Sequence, residues 1–356
     1  MPPNSSTSTS KWILATAGLT LTAVGAFNFW VDPFQQYRAS AKPRFWHTLQ
    51  RQITPGLAKR GGYDVVLLGS SMFECFRNSE ASQHLGGKAA NLSLSSSSAY
   101  ELGMMLNVAL SHTPGVRRVV LDLNVNTYAG PTNKLWVQGP LPLHMWDRNP
   151  FNDVRYLLAA DTFQRSLDIV RGKEDKTYRT DPDLPWGWAL DVRFSREEAT
   201  KGLLPGDFNQ RYKQPPRTTE EMVRNFETNP LPIIRSHPQI QFDLVHPPYS
   251  ILAWIDFEQR KQVELTLDWK RRLFQLTQAL PNVAIYDFQG DRRIEDLDHY
   301  TDIYHFDLPT ASWMLKEIGR GAGSEFRVTA SNLEPMLKIQ QERAKSAKAE
   351  DWLKKP

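Results

Sequence analysis

The chain has 356 residues, of which 43 are Lys or Arg and 39 are Asp or Glu, so its formal net charge is +4 with neutral histidines. A single cysteine excludes an internal disulfide framework and a cysteine-rich metal site. The apolar share of 40% is too high for a largely disordered chain, and the mild charge gives no reason to expect nucleic-acid binding.

One segment near the N-terminus is long enough to cross a membrane. A short tail, residues 1–11, precedes twenty uncharged residues, 12–31, and about 20 apolar residues span a bilayer as a helix. One alternative is a buried core helix, but the run has no polar face. Another is a signal peptide cleaved near residues 24–26. Because aromatic residues extend the run to Trp30, we expect an uncleaved, single-pass signal anchor.

The charges beyond this segment bear on its orientation. Residues 32–62 are interpreted as a basic stalk, and six cations without any acid lie within residues 38–60. The positive-inside rule alone would keep that side cytoplasmic. A short tail ahead of a large C-terminal domain is instead typical of a signal anchor that exports its domain. We therefore expect a protein of the cytoplasmic membrane whose main domain is periplasmic or otherwise extracytoplasmic.

Short apolar runs that alternate with helical patterns predict a parallel α/β domain over residues 63–330. Strands are expected at 64–69, 89–94, 116–125, 240–248 and 283–288. Helices are expected from residue 70, after the first strand, and at 99–110, 255–280 and 308–318. A stretch rich in Pro and Trp, about 127–235, interrupts the pattern and is interpreted as an insertion. Residues 331–356 are expected to form a charged helical tail.

Polar side chains follow the predicted strands. Ser71 comes after the first strand, Ser96 after the second and Asn126 after the third. Asp302 and His305 follow the last strand. Because the carboxyl ends of parallel strands meet at one edge of a sheet, these side chains are expected to lie together. A hydroxyl, a histidine base, an acid that orients the base and amide donors are the parts of a serine acyl-transfer site.

Two of these segments resemble blocks of the SGNH, or GDSL-like, hydrolases. Residues 69–72, Gly-Ser-Ser-Met, are similar to the Gly-Asp-Ser-Leu block of that family. The resemblance makes Ser71 the catalytic nucleophile. Asp302 and His305 match the family's Asp-x-x-His block, which implies that His305 is the general base and that Asp302 orients it.

The two middle blocks are matched in part. Residues 91–96 are similar to the family's Asn-x-x-x-Ser-Gly block, but Ser96 stands at the glycine whose amide donates to the oxyanion. Residues 124–127 keep only Asn126 of the Gly-x-Asn-Asp block. The resemblance therefore implies an oxyanion hole made by the amides of Ser71 and Ser96 and the side chain of Asn126.

Further segments resemble a membrane-anchored branch of the superfamily, over about 12–128 and 236–320. They include Asp-Pro-Phe at 32–34 and Pro-Pro at 247–248. The branch contains periplasmic proteins that work beside membrane-bound O-acyltransferases in alginate acetylation and lipoteichoic-acid D-alanylation. The resemblance implies a three-layer, flavodoxin-like sheet. It also implies an esterase or O-acyltransferase that acts on acyl esters of a cell-envelope polysaccharide, with an O-acyltransferase as partner and without cofactor or metal.

Other interpretations remain open. A catalytically degenerate SGNH-fold protein could bind a glycan or an acyltransferase partner, since the glycine and the acid of the middle blocks are missing. A metal-dependent hydrolase could use the cluster Asp296, Asp298 and His299 with the Asp-x-x-His pair, although no recognised ligand spacing appears. Cys75 is expected to be a small core residue. His246 is expected to be structural, the alternative being that it lines an acyl pocket.

Overall fold

The protein is described from a computed structural model, for residues 5–135, 141–173, 177–205 and 217–353. The strands are β1 (Phe45–Trp46), β2 (Val65–Leu68), β3 (Ala89–Asn91), β4 (Arg118–Asp122), β5 (Tyr178–Arg179), β6 (Gln241–His246) and β7 (Val283–Asp287). The α-helices are α1 (Ser5–Val31), α2 (Gln50–Arg60), α3 (Asn78–Leu85), α4 (Ala99–His112), α5 (Val154–Leu157), α6 (Ala160–Val170), α7 (Arg196–Thr200), α8 (Thr219–Thr228), α9 (Pro230–Ser236), α10 (Ile251–Gln259), α11 (Val263–Thr277), α12 (Leu308–Gly319), α13 (Leu333–Ser346) and α14 (Ala349–Leu353). Parts of the predicted N-terminal tail, insertion and C-terminal tail therefore lie outside the described residues.

Five of the strands form a parallel sheet in the order β3-β2-β4-β6-β7. Their side chains are almost all buried, which explains the continuous apolar runs, because both faces of a parallel sheet are covered. Numbered within the sheet alone, the order is second, first, third, fourth, fifth, which is the flavodoxin-like arrangement. The five predicted strands and their parallel pairing are confirmed. The remaining strands, β1 and β5, pair as a short antiparallel ribbon.

Helices cover the sheet in two groups. Crossovers between parallel strands are almost always right-handed. From β2 to β3 through α3 the chain moves one way along the sheet, and from β3 to β4 through α4 it moves the other way, so the two helices are expected on opposite faces. In agreement, α3 packs against α12, whereas α4 packs against α2, α8 and α9. At the start of α4, Ser98 and Glu101 form a capping box, and Glu101 also pairs with Arg51 of α2 at 2.6 Å. The domain is thus α/β, built on a parallel sheet of five strands.

The single helix expected over 255–280 is in fact two helices, α10 and α11. Lys261, between them, has a left-handed backbone with φ of 57°. The amides of Lys261 and Gln262 donate to the carbonyls of Glu258 and Phe257, at 3.0 and 2.7 Å, and these bonds close the end of α10. Burial extends around most of α10, whereas α11 buries one face, so the two parts pack differently.

Residues 70–76 form turns instead of the expected start of a helix, and α3 begins only at Asn78. The amide of Phe76 bonds three residues back, to Phe73 at 3.2 Å. Asn91 holds this segment, because its Nδ2 donates to the carbonyls of Phe73 and Phe76, at 2.7 and 3.0 Å. In an α-helix, the carbonyl of Phe73 would instead accept a hydrogen bond from the amide four residues later.

Residues 32–62 are integrated into the domain instead of forming a separate stalk. Phe34 and Trp46 are almost completely buried, and α2 packs against α4. The carboxylate of Asp32 accepts hydrogen bonds from three successive amides, those of residues 36–38. Composition suggested a stalk because the cations of this segment alternate with the apolar residues that fill the core.

Helix α1 begins at Ser5, within the predicted tail, and ends at Val31. Over Thr9–Val31 it is long and apolar enough to be a membrane span or a signal sequence. Most of its described side chains are exposed, while its C-terminal turns pack against α5 and α6.

A buried ion pair connects the C-terminal helix α13 to the sheet. Lys270 on α11 donates from Nζ to Asp287 Oδ2 at 2.8 Å and to Gln340 Oε1 at 2.7 Å. All three residues are at least 98% buried, with Lys270 and Asp287 each 2% exposed and Gln340 1%. The helical part of the predicted tail is therefore attached to the core of the domain.

We expect Lys270→Ala to lower the free energy of unfolding by about 3–5 kcal/mol, because the Asp287 carboxylate would stay buried without its cation. Arg271→Ala is the matched control, since Arg271 pairs with the exposed Glu334 and surface pairs contribute about 0–1 kcal/mol. Urea denaturation measures both variants. Equal losses would contradict the structural role of Lys270.

Candidate functional site

The loop after β2 carries Ser71 at the carboxyl edge of the sheet. Asp122, the last residue of β4, accepts hydrogen bonds from Ser70 N at 3.0 Å and Ser70 Oγ at 2.6 Å. Gly69 leaves no room for a side chain, because a Cβ there would lie 2.6 Å from both Asp122 Cβ and the ring of Phe73. Burial raises the pKa of Asp122 to about 6. The position of Ser71 is therefore determined by its two predecessors and by the neighbouring strand.

Asp302 and His305 lie on a closed loop after β7. Tyr300 and Phe306 pair as an antiparallel bridge across its base. Inside the loop, Asp302 Oδ1 accepts hydrogen bonds from the amides of Tyr304 and His305, both at 2.8 Å. The Asp-x-x-His sequence thus folds around its own carboxylate, and this geometry leaves Oδ2 for the imidazole ring.

Ser71, His305 and Asp302 form one chain of hydrogen bonds. Ser71 Oγ lies 2.7 Å from His305 Nε2, and His305 Nδ1 lies 2.7 Å from Asp302 Oδ2. An ionised carboxylate can only accept, so Nδ1 carries the proton that is donated to Asp302. In the neutral ring, Nε2 is then the acceptor for the Ser71 hydroxyl. This arrangement allows a histidine to take the proton of a serine.

The pKa values at the site result from opposing effects. Burial alone would lower the pKa of His305, but the charge and hydrogen bond of Asp302 and the charge of Glu74 raise it above 6.5. Burial alone would raise the pKa of Asp302, yet the charge and hydrogen bonds of His305 hold it well below its ordinary range. Glu74 is fully buried, and burial raises its pKa to about 7. The pKa of His305 therefore depends on two carboxyl groups.

Two backbone amides at the site, those of Ser71 and Ser96, are available as donors. Neither the amide of Ser71 nor that of Ser96 donates to an acceptor among the residues that the structure describes. Ser96 has φ of 52°, in the left-handed region that glycine favours. A serine therefore keeps the turn that a glycine would form, and Ser97 Oγ braces it by donating to Gly69 O at 3.2 Å.

The amide side chain of Asn126 is oriented by a buried arginine. Arg217 Nη1 donates to Asn126 Oδ1 at 2.7 Å, which assigns that atom as the oxygen and makes Nδ2 the donor. Asn126 also forms a hydrogen bond with the hydroxyl of Tyr304. Its own amide donates to Asn124 Oδ1 at 3.0 Å. Asn126 is thus a fixed part of the wall of the cavity that Ser71 also lines.

Two cavities meet at Ser71. Ser71, Ser96 and His305 line both of them. The smaller has a volume of about 190 Å³ and is walled mainly by small and polar side chains, including Asn126. The larger is an open cleft of about 920 Å³ whose wall includes Asp302 and several side chains of the predicted insertion. The structure therefore brings all five predicted site residues together.

Four further residues at the site did not stand out in the sequence. Trp188 Nε1 donates to Ser71 O at 3.1 Å, and its ring meets that of His305 edge-on, with centroids 5.1 Å apart. Trp188 and Arg217 both come from the insertion, where no motif marks them. A carboxylate directly after an apolar strand was an available signal for Asp122. Glu74 had no comparable signal, because its segment was expected to be helical.

Two other residues considered from the sequence are buried away from this chemistry. Cys75 Sγ donates to Met72 O at 3.0 Å, and burial raises the pKa of its thiol well above the ordinary value. His246 is buried in β6, lines neither cavity, and has a pKa that burial lowers to about 3. Both side chains are structural.

The acidic cluster near the last block does not assemble around a common centre. His299 Nδ1 pairs with Asp307 at 2.8 Å, while Asp298 Oδ1 accepts from the amide of Arg196 at 2.9 Å. Within residues 5–135, 141–173, 177–205 and 217–353, no group of three or more His, Cys, Asp or Glu residues is arranged to hold a metal ion.

This chain is distantly similar to several solved structures. One of them comes from Streptococcus pneumonia and is provisionally described as a platelet activating factor. The TM-score is 0.39 at 12% identity, and the match covers 78% of this chain and 92% of that one. No family model and no curated protein matches the chain.

We expect Gly69→Ala to destabilise the protein by about 1–3 kcal/mol, because the new methyl group overlaps Asp122 and Phe73. Gly115→Ala is the control, since open space surrounds Gly115 and its φ is not positive. It should change stability by no more than about 0.5 kcal/mol. Thermal denaturation of both variants measures the difference, and equal shifts would show that space at Gly69 is not limiting.

Proposed function

We propose that this protein is a serine esterase or O-acyltransferase of the SGNH, or GDSL-like, type. The observation that carries the proposal is the hydrogen-bonded chain from Ser71 through His305 to Asp302, at the junction of a small cavity and an open cleft. The left-handed backbone of Ser96 and the oriented amide of Asn126 support it, since both belong to motif blocks in which the family has its oxyanion donors.

The proposed first half-reaction forms an acyl-enzyme. Ser71 Oγ attacks the carbonyl carbon of an acyl ester while its proton passes to His305 Nε2, and Asp302 stabilises the imidazolium. The amides of Ser71 and Ser96 and Nδ2 of Asn126 donate to the oxyanion of the tetrahedral intermediate. His305 then returns the proton to the leaving oxygen, which departs as an alcohol, and the acyl group stays on Ser71.

The second half-reaction decides between hydrolysis and transfer. His305 deprotonates the attacking hydroxyl, the new tetrahedral intermediate collapses, and Ser71 regains its proton. Water as the attacking group yields a carboxylic acid, whereas a sugar hydroxyl yields a new ester. The cavity of about 190 Å³ suits a short acyl group, and the open cleft suits a bulkier alcohol or acceptor.

We further propose that the enzyme is anchored by α1 in the cytoplasmic membrane and acts outside the cytoplasm. Its substrate would be an acylated cell-envelope polysaccharide, and its partner a membrane-bound O-acyltransferase. The exposed apolar surface of α1 supports the anchor. Trp188, on the wall of the cleft, supports a sugar substrate, because an indole ring can stack on a sugar. The resemblance of the motif blocks supports the partner.

An alkyl fluorophosphonate probe should label the wild-type protein and should not label Ser71→Ala. The variant should also turn over an aryl acetate roughly 10⁴-fold more slowly, because the nucleophile is lost. The full chain in detergent micelles is the correct material, since the end of α1 packs into the domain. Cys75→Ala is the control and should keep its labelling. Labelling that survives in Ser71→Ala would refute the assignment.

The same experiment separates the enzyme from the alternative of a catalytically inactive SGNH-fold protein that binds a glycan or an acyltransferase partner. The serine at position 96 and the missing acid after Asn126 motivate that alternative. A wild-type protein that is folded by circular dichroism but unreactive towards the probe supports it. Stoichiometric modification of Ser71, located by mass spectrometry, excludes it.

Turnover should fall as the pH is lowered through the pKa of His305, because only the neutral ring accepts the serine proton. Glu74→Gln removes a carboxyl group whose ionised form raises this pKa, so the acidic limb of the kcat/KM profile should move to lower pH. Glu325→Gln changes an exposed carboxylate elsewhere and is the control. An unmoved limb in Glu74→Gln would contradict the proposed coupling.

A further inference from the structure

The C-terminal end of α1 is built into the domain. Asn28 is fully buried, and its Nδ2 donates to the carbonyl of Leu157, at the end of α5, at 2.7 Å. Three residues further on, α6 begins, and it also packs against α1. A Cβ on Gly25 would lie 3.6 Å from Leu158 Cδ2. The chain from α5 into α6 therefore lies directly beside the last two turns of α1.

An apolar patch is exposed next to this contact. Its four members, which we call the α5 face, are Leu143 (56% exposed), Phe151 (89%), Val154 (51%) and Leu158 (37%). The turn that contains Leu143 packs against α5. Asp153 accepts a hydrogen bond from Tyr37, whose ring packs against Phe29 of α1 with centroids 4.9 Å apart. The patch is thus continuous with the C-terminal end of α1.

The position of this patch along the axis of α1 matches the depth of the boundary between lipid headgroups and acyl chains. Leu158 lies beside Gly25, which is six residues before the end of α1 at Val31, and at 1.5 Å per residue this is about 9 Å along the axis. Apolar faces of interfacial helices insert about 5–10 Å into the boundary between headgroups and acyl chains. Trp30, 68% exposed, is the kind of aromatic residue found at that boundary.

The charges near the patch are compatible with lipid headgroups. Arg148 and Arg155 are exposed within the same segment, and their long side chains can reach phosphates while their stems stay in apolar surroundings. Asp161, at the start of α6, is compensated by Arg165 at 3.7 Å. Asp147 and Asp153 also belong to this segment, but they are half-buried and accept hydrogen bonds from Asn152 and Tyr37. The exposed charges within the segment are therefore the two arginines.

We propose that the α5 face is a second membrane contact, which lies in the headgroup and acyl boundary of the same bilayer that α1 crosses. The inference depends on the proposed anchor, because a bilayer around α1 brings Leu158 and its neighbours to the lipid surface. The domain then binds the membrane at two places and has one orientation relative to it.

The test uses the full chain in phospholipid nanodiscs, with an environment-sensitive fluorophore on a cysteine introduced by Phe151→Cys. Phe151 is so exposed that the change leaves the core intact. Leu19→Cys reports on the middle of α1, and Lys338→Cys reports on an exposed position of α13. The wild-type chain gives the labelling background, because Cys75 is buried. Each sample is measured with and without spin-labelled lipid.

We expect the Phe151→Cys probe to be blue-shifted relative to Lys338→Cys and to be quenched by spin-labelled lipid. Quenching of Leu19→Cys alone, with water-like emission from Phe151→Cys, overturns the membrane contact but leaves the anchor. A Phe151→Cys probe that is blue-shifted but not quenched also overturns it, because protein then covers the face. If Leu19→Cys itself is not quenched, the anchor fails and the inference fails with it.

Discussion

The hydrogen bond between Ser71 and His305 joins loops that are 234 residues apart in the chain, and much of the domain serves to hold these loops together. Their strands, β2 and β7, are not neighbours, since β4 and β6 lie between them. The loop after β7 therefore has to cross the ends of β6 and β4 for His305 to reach Ser71. It is attached there by Tyr300, whose hydroxyl donates to Pro248 O at 3.1 Å, and by Ser250, which donates to Ile303 O at 2.8 Å.

The insertion completes the site that the sheet begins. A sheet edge supplies Ser71, Ser96 and Asn126 from three strand ends, but it does not determine how the asparagine side chain is turned or what packs against the histidine ring. Arg217 determines the orientation of the Asn126 side chain, and Trp188 packs against the ring of His305. Residues of the insertion thus control the orientation of residues that belong to the motif blocks.

The sheet and the three residues of the hydrogen-bonded chain could be predicted because each has a local signal: apolar runs of four to six residues, a serine after a strand, and an Asp-x-x-His that folds on itself. Trp188 and Arg217 had no such signal, because their partners are 117 and 91 residues away. The break at Lys261 was also missed, since apolar periodicity continues across it and only tertiary packing separates α10 from α11. Residues 32–62 were interpreted as a stalk because composition reports charge but does not show which side chains are buried.

The integration of this segment changes how the proposed enzyme would meet its substrate. A flexible linker of about 30 residues would allow a domain to move roughly 30 Å from its anchor. Here Asn28 is bonded to the domain while still on α1, and Asp32 closes the next turn by accepting three amides. The distance of the cleft from a membrane, and the direction in which it opens, would then be determined by the packing of α1 against the domain. A cleft at a fixed position favours a substrate that is delivered at one place beside the membrane. Cleft and substrate are then already positioned for reaction, whereas a tethered domain would first have to diffuse to its substrate. Transfer from a membrane-bound partner meets that condition more readily than hydrolysis of a polymer that diffuses freely.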